Sequence, residues 1–370
     1  MSLRKELVML ARQEGSNKRE LFRRYGIQPR IGYKWLKRYE EEGEAGLADR
    51  SRRPQRSPRR TPAQIEAKVS EVRLEHPCWG PRKLRRRLID LGEKVVPGKS
   101  TITAIIRRQG LLDPKESAKH RPYIRFERAE PNELWQMDFK GHFPLSSGRC
   151  HPLTVLDDHS RFALAIAACA NEQSTTVQGV LTRVFRRYGL PDRMLADNGA
   201  PWGDAGDQGW TILGAWLIRL GVAITHGRPY HPQTQGKDER FHRTLNAEVI
   251  SRRSTWHDLD ECETAFEQWR NVYNAERPHE AIGLATPITR YRSSPRAFPD
   301  ALPAVEYDDG AIIRKVSKTG EISFRNRTWQ IGKAFARHPV MLRPTTEDGR
   351  YDVFFCHQKV ATIDQRAARP

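Results

Sequence analysis

Apolar residues recur at helical spacing through the first fifty positions of the chain and predict three short helices. Gly26 and Pro29 bracket a tight turn, and Pro29 also suits the first turn of a third helix that continues through Tyr39. Helix, tight turn and helix is the pattern of helix-turn-helix domains, whose last helix enters the major groove of DNA. We therefore predict an all-α DNA-binding domain over residues 1–47.

The predicted third helix carries a row of cations that recur at steps of four, three and one. They are Arg30, Lys34, Lys37 and Arg38. Ile31, Trp35 and Leu36 fall between them and are predicted to face the core of the domain. We expect the four cations to contact DNA, although an ordinary basic helix with a solvated face would give the same pattern.

Residues 48–61 are rich in arginine and proline and lack apolar periodicity, which predicts a basic linker. Helical spacing resumes over residues 62–120 in three further segments. Gly80-Pro81 opens the middle segment, and Ser100 suits the cap of the last one. This arrangement predicts a second helix-turn-helix domain, although the two domains do not align as a sequence repeat.

From about residue 131 the pattern changes to short runs of Val, Leu, Ile and Phe. Three strands in succession, followed by alternating helix and strand, predict an α/β sheet with antiparallel and parallel parts over residues 131–292. Residues 303–366 contain several short runs of β-forming residues separated by glycines. They predict a small all-β barrel, and its role in DNA contact, subunit contact or structure stays open.

The amino-acid composition indicates which kind of binding partner to expect. Lysine and arginine number 64 against 45 aspartates and glutamates, which gives a net charge of +19 and a pI near 10.0. Because cations release condensed counterions from nucleic acid on binding, we expect a polyanionic partner, with a merely basic protein as the alternative. The five cysteines form no CxxC pair, which argues against a zinc site or a disulfide framework. Since no segment suits a signal peptide or membrane span, we expect a soluble cytoplasmic protein.

Three acids stand where the predicted elements would expose them. Asp138 lies in the first strand, Asp197 ends a later strand, and Glu239 lies on a predicted helix. Taken singly, an aspartate at a strand end is more often a turn residue, and a helical glutamate is more often a surface group. Nearby acids keep the assignment open: Asp157, Asp158, Asp204, Asp207 and Asp238.

The sequences that flank these acids are distinctive. Leu134-Trp-Gln-Met-Asp138, Asp197-Asn-Gly199 and Arg228-Pro-Tyr-His-Pro-Gln-Thr-Gln-Gly-Lys-Asp-Glu239-Arg-Phe-His-Arg-Thr-Leu245 occur in that order. The chain thereby resembles the bacterial insertion-sequence transposases of the integrase-core superfamily, which are relatives of retroviral integrases. The resemblance covers roughly residues 131–290. It implies a ribonuclease H-like core and an SH3-like form for the C-terminal barrel.

By this resemblance, Asp138, Asp197 and Glu239 form a DDE triad that binds two Mg²⁺ ions, for which Mn²⁺ can substitute. We favour Glu239 over Asp238 because the motif places its acid immediately before Arg-Phe. Neighbours on a helix also point about 100° apart, so both acids cannot face one metal. The resemblance further implies a DNA transposase that cleaves and transfers strands at the ends of a mobile element, as a homo-oligomer on double-stranded DNA.

Cations around the third acid are expected to contact DNA phosphates. Lys237, Arg240 and Arg243 lie on the predicted helix, and His231 lies in the loop before it. For His231, a packed or capping role is equally open.

Two other functions share the same fold and stay open. One is a non-catalytic DNA-binding regulator, against which the presence of all three acids argues. The other is a metal-dependent nuclease that hydrolyses DNA without joining it. The tandem recognition domains favour sequence-specific joining over simple degradation.

Overall fold

The computed structural model describes residues 3–50, 61–112, 127–197, 199–203, 209–226 and 236–366. The chain divides into two compact units, Met1–Arg60 and Thr61–Pro370, and the division falls in the predicted linker. No described helix is long and apolar enough to cross a membrane.

The N-terminal unit contains three helices, as predicted: α1 (Leu3–Ala11), α2 (Lys18–Arg24) and α3 (Pro29–Glu42). Asn17 caps α2 by accepting a hydrogen bond from the backbone N–H of Glu20 at 3.2 Å. The prediction that Ile31 faces the core is wrong, because its side chain is 39% exposed. Gly32 takes that place, and a Cβ atom there would lie 2.3 Å from the Phe22 ring. The close approach of α3 to α2 therefore requires glycine.

A second three-helix bundle begins the larger unit and comprises α4 (Ala63–Glu75), α5 (Pro81–Asp90) and α6 (Lys99–Arg108). Its core is a separate cluster around Trp79, Leu84 and Ile102, which are all fully buried. The prediction of a second helical module is thus confirmed over the described part of residues 62–120. Arg87 on α5 pairs with Glu276 of the following domain, so the bundle and that domain share a polar contact.

The next domain is built on a mixed six-stranded sheet. Its strands are β1 (Trp135–Phe139), β2 (Phe143–Pro144), β3 (Arg149–Asp157), β4 (Ala163–Cys169), β5 (Arg193–Ala196) and β6 (Ala223–His226). The order is β2-β3-β1-β5-β6, with β4 paired to β3. Strand β3 is antiparallel to β1 and β4, whereas β5 is parallel to β1 and β6. This confirms the predicted mixture of antiparallel and parallel strands.

Helices cover both faces of this sheet. They are α7 (Ser174–Tyr188), α8 (Ile212–Arg219), α9 (Gly236–Glu248) and α10 (Leu259–Ala275). On one face of the sheet, Leu153 and Val155 of β3 pack with α7 and α8. On the opposite face, Leu156 of β3 and Ile166 of β4 pack against α9 and α10. Because successive side chains of a strand point to opposite faces, each strand contributes to both layers of the core. The sheet is therefore buried on both sides and rigid.

The C-terminal region is all-β, as predicted. Its strands are β7 (Ile312–Lys315), β8 (Glu321–Phe324), β9 (Arg327–Gln330), β10 (Pro339–Pro344), β11 (Arg350–Phe355) and β12 (Gln358–Asp364). The closed barrel is not found among these strands: β12-β11-β10-β7 form an open sheet, and β8-β9 form a separate hairpin. The hairpin turns tightly at Arg325 and Asn326, which have φ values of 50° and 56°. Its short strands bond to each other instead of closing the sheet.

Candidate active site

Two of the predicted acids lie side by side at the carboxyl ends of adjacent parallel strands. Gln136 of β1 pairs with Leu195 of β5, so Asp138 and Asp197, each two residues further on, lie level with one another. Asp197 follows β5 directly, and its Oδ1 accepts a hydrogen bond from the Gly199 backbone N–H at 3.1 Å. The carboxyl ends of parallel strands are the usual place for ligand sites in α/β sheets.

The electrostatics of Asp138 reflect this pairing. Burial and the neighbouring Asp197 carboxylate raise the pKa of Asp138 to about 7, although the Phe139 backbone N–H lowers it. Two like charges held together on rigid strands repel, and burial removes the water that would screen them. A divalent cation would relieve this repulsion, so the pair suits an oxygen-binding metal such as Mg²⁺.

The third predicted acid lies on the first turn of α9. Glu239 is exposed, and its charge also raises the pKa of Asp138, so the helix brings it near the strand pair. No group of three or more His, Cys, Asp or Glu side chains surrounds a single point at metal-binding distance within the described ranges. The arrangement is therefore two fixed carboxylates with a third approaching from a helix.

Asp238, the competing acid on α9, is buried. It is only 2% exposed, and its Oδ1 has no hydrogen-bond partner among the described residues. Burial, followed by the charge of Asp138, raises the pKa of Asp238 well above its ordinary value. One helical step thus separates a buried acid from the exposed Glu239. Solvent and substrate can reach Glu239 more readily.

Asp158 has its carboxylate enclosed by donors. Its Oδ2 accepts from the Arg128 backbone N–H at 2.8 Å, and its Oδ1 accepts from the Gln136 side chain at 2.6 Å. The Lys237 ammonium also pairs with Asp158 Oδ1. A carboxylate satisfied in this way holds the fold together and has little capacity left for a metal.

Asp157, at the end of β3, is bound in a similar way. Its Oδ2 accepts from the Asn132 backbone N–H at 2.8 Å, and its Oδ1 accepts from the N–H and hydroxyl of Ser160 at 2.7 and 2.5 Å. Burial raises the pKa of Asp157, and these bonds oppose the shift. Asp157 therefore anchors the turn between β3 and β4.

Lys237, for which a DNA phosphate contact was predicted, forms an ion pair with Asp158, and the phosphate contact stays a prediction. The Lys237 side chain is 18% exposed and its charge is compensated by a fully buried carboxylate. Arg240 and Arg243, by contrast, are exposed on α9. His231, Asp204 and Asp207 lie outside the described residues.

Sequence reasoning missed two residues beside Asp138. The Thr154 hydroxyl donates to the Asp138 backbone carbonyl at 3.1 Å and contacts His242 Nε2 at 2.8 Å. His242 Nδ1 lies 4.0 Å from Asp138 Oδ2. Burial lowers the pKa of His242 to about 4, and Lys140 adds to this effect. The available signal was the spacing, since His242 follows Glu239 by three residues on one helix face.

On α3 the predicted DNA-contacting cations are mostly available. Arg30, Lys34 and Lys37 are exposed and Arg38 is half-buried. Lys37 lies 3.8 Å from Glu41, which is a loose surface pair that DNA could replace.

Five known domain families match this chain in order. A helix-turn-helix domain matches residues 3–55, a homeodomain-like domain residues 31–106, and integrase core domains residues 128–232 and 220–287. The C-terminal domain of the IS481 family transposases matches residues 311–370. These matches make the chain similar to the insertion-sequence transposases of the integrase-core superfamily. The chain therefore combines helical domains that match DNA-binding families, a region that matches the integrase core and an all-β C-terminal region.

Two individual proteins are also similar to this chain in sequence. The uncharacterized 31.7 kDa protein of insertion element IS407 from Burkholderia multivorans is 26% identical over 242 residues, which span 64% of this chain and 83% of the relative. The Pro-Pol polyprotein of simian foamy virus type 3 is 29% identical over 143 residues, which span 37% of this chain but only 12% of the polyprotein. One relative is therefore encoded by an insertion element and the other by a virus, and the match spans only a small part of the viral polyprotein.

Solved structures that match parts of this chain include integrases of viral origin. The catalytic core domain of BIV integrase is 23% identical, with a TM-score of 0.33, and the match covers 43% of this chain and 92% of that one. An intasome of simian T-cell lymphotropic virus matches with 16% identity and a TM-score of 0.38, covering 79% of this chain and 99% of that one.

Proposed function

We propose that this transposase cleaves DNA strands at the ends of a mobile element and joins them to target DNA, with Asp138, Asp197 and Glu239 holding two Mg²⁺ ions. The observation that carries the proposal is the pairing of Asp138 with Asp197, where burial and the like charge raise the pKa of Asp138 to about 7. Such a pair is poised to exchange a proton for a metal. Mn²⁺ would substitute for Mg²⁺ because both accept carboxylate oxygen ligands.

The three acids would have different roles in metal binding, because two of them lie at strand ends and the third lies on a helix. Asp138 and Asp197 are fixed at the ends of paired strands, so they would define the metal position. Glu239 is exposed on α9 and would complete the site from the side open to DNA. When bound, the ions would activate the attacking oxygen and stabilise the leaving oxygen of the phosphodiester. No covalent protein–DNA intermediate is needed for this chemistry.

DNA would be held by surfaces outside the carboxylates. Arg240 and Arg243 on α9 would bind phosphates close to the reacting strand, and His231 would help to position it. The cationic row on α3 would recognise the element ends: Arg30, Lys34, Lys37 and Arg38. Bringing two ends together requires at least two subunits, so we expect a homo-oligomer on double-stranded DNA.

The site of action follows from the substrate. Because mobile-element ends lie in chromosomal DNA, we place the reaction in the bacterial cytoplasm, at the nucleoid.

The test is a joining assay with the full chain. Wild type, Glu239→Gln, Asp238→Asn and the exposed control Glu306→Gln would each be incubated with Mg²⁺ and a plasmid carrying the native flanking DNA of the gene. We expect joined products from wild type and Glu306→Gln, and none from Glu239→Gln. Binding without cleavage by wild type would favour the regulator, and nicking without joining would favour the nuclease. Loss in Asp238→Asn with full activity in Glu239→Gln would move the third ligand to Asp238.

A further inference from the structure

A hydrogen-bonded bridge connects α9 to the strand that carries Asp138. We propose that His242 is a positioning residue that acts through Thr154 to hold α9, and with it Glu239, at a fixed place beside Asp138. This inference rests on the proposed function, because it concerns the geometry of the same three carboxylates.

The bridge begins on the sheet. Thr154 of β3 lies directly opposite Asp138 of β1 in the antiparallel register, and it is fully buried. Its hydroxyl donates to the Asp138 backbone carbonyl at 3.1 Å. A threonine hydroxyl has one proton to donate, and this bond uses it. The Thr154 oxygen is therefore left as an acceptor.

This assignment fixes the tautomer of His242. Since Nε2 lies 2.8 Å from the Thr154 oxygen, Nε2 must carry the proton and donate it. Nδ1 then presents a lone pair toward Asp138 Oδ2, 4.0 Å away. The ring thus links the helix, through Thr154, to the backbone of Asp138.

Helix geometry passes this constraint to Glu239. Residues three apart lie on neighbouring positions of one helix face, so fixing the rotation of α9 at His242 also fixes the direction of Glu239. The neighbouring contacts hold other parts of the helix: Lys237 is tied to Asp158, and Phe241 packs in the core. The His242 bridge is the contact that meets Asp138 itself. A displacement of about 1 Å at reacting groups can cost about 100-fold in rate.

The bridge can be cut from either side without changing side-chain volume greatly. His242→Phe keeps a ring but removes the donor, and Thr154→Val keeps the shape but removes the hydroxyl. His242→Gln places an N–H near the position of Nε2. The control is His257→Phe, which changes an exposed histidine that lies 3.4 Å from Ser146 Oγ.

Strand transfer by the full-length chain is the first readout. We expect His242→Phe and Thr154→Val each to lower kcat by about 10- to 100-fold, with KM for DNA within about twofold of wild type. The double variant should be no worse than the poorer single variant, because both cut the same bond. His242→Gln should recover most of the lost rate. A variant that merely loosens the fold would lower its melting temperature and would not be rescued by Gln.

The second readout is ¹⁵N NMR of the histidines in the metal-free full-length protein. We expect His242 to carry its proton on Nε2, and Thr154→Val to alter that signal. Full kcat in His242→Phe, additive losses in the double variant, or a proton on Nδ1 would each overturn the proposal. If wild type itself neither cleaves nor joins DNA, the proposed function fails and the positioning role falls with it. Strand transfer that is intact in wild type and reduced only in the His242 and Thr154 variants would support both the proposed function and the positioning role.

Discussion

Two pairs of aspartates lie near opposite ends of β1 and have opposite surroundings. Asp157 pairs in register with Trp135 at the start of the strand, and it and Asp158 accept hydrogen bonds at both carboxylate oxygens. Asp138 follows Trp135 by three residues on β1. It lies beside a second carboxylate, Asp197, and its pKa is raised to about 7. Both pairs combine acids with strong β-forming neighbours in the sequence.

The difference separates structural from functional acids on physical grounds. A buried carboxylate that is enclosed by donors stabilises the fold, because each lone pair is used and the charge is compensated. A carboxylate held against a like charge destabilises the fold unless a cation or proton arrives. Only in the second arrangement does a bound metal ion stabilise the protein by relieving the repulsion between the two carboxylates. From this contrast we propose that Asp138 and Asp197 belong to the metal site, and that Asp157 and Asp158 stabilise the fold.

The largest expected effect is on catalysis. Asp138→Asn should lower the rate of strand cleavage by about 1,000-fold or more, since losing about 4 kcal/mol of metal-based stabilisation has that effect. The melting temperature should stay the same or rise, because the repulsion with Asp197 disappears. Initial rates on labelled duplex DNA and a thermal melt would measure both. An Asp138→Asn variant with wild-type activity would contradict the proposal that Asp138 binds the metal.

The next effect is on folding. Asp158→Asn should destabilise the protein by about 3 kcal/mol, because it removes the buried carboxylate that compensates the largely buried Lys237 ammonium. Chemical denaturation followed by tryptophan fluorescence would measure this change. The matched double variant Lys237→Met/Asp158→Asn should recover part of the loss, since no unpaired charge remains. Unchanged stability in Asp158→Asn would contradict the structural role.

The raised pKa of Asp138 predicts a dependence on pH. In the metal-free protein the folded pKa of about 7 exceeds the ordinary value of 3.8, so stability should fall as pH rises from about 4 to about 7 and then level off. Asp138→Asn should flatten this slope. Over the same window Mg²⁺ must displace one proton, so its apparent affinity should rise about tenfold per pH unit and become constant above pH 7. A pH-independent affinity would place the proton elsewhere.

The smallest effect distinguishes the cations of α9. Arg243→Ala should weaken DNA binding severalfold and reduce the slope of log affinity against log salt by about 1, because an exposed phosphate contact is lost. Lys237→Met should leave that slope unchanged, since its charge already serves Asp158. Fluorescence anisotropy over a series of salt concentrations would compare the two. Equal slopes for both variants would remove the distinction.

Local periodicity was enough to predict most of the elements. The helix and strand predicted after the first three strands are α7 and β5. The strand that was predicted to end at Asp197 ends one residue earlier, at Ala196, and leaves Asp197 at its edge. Alternating and helical spacings are properties of neighbouring residues, so they survive without tertiary information. The exact domain boundaries and the metal ligands stay predictions.

The roles of individual side chains depended on contacts between distant segments. Lys237 looked like a phosphate-binding residue, and only the fold brings it to Asp158, 79 positions away. Thr154 and His242 are separated by 88 positions and carried no joint signal. Ile31 fitted the inward-facing pattern of α3, yet the close packing on Phe22 selected Gly32. The closure of the C-terminal barrel likewise depended on strand pairing, which short β-forming runs do not specify.

We propose that Asp138 and Asp197, and not the turn aspartates, bind the metal. Isothermal titration of Mg²⁺ and Mn²⁺ into the full chain tests it most directly, with wild type, Asp197→Asn and Lys237→Met/Asp158→Asn compared at one pH. Because losing a partner that only orients a ligand costs about 10- to 100-fold in affinity, losing Asp197 itself should cost at least about 100-fold. The double variant should bind as wild type does. Wild-type affinity in Asp197→Asn, or lost binding in a folded double variant, would contradict the account.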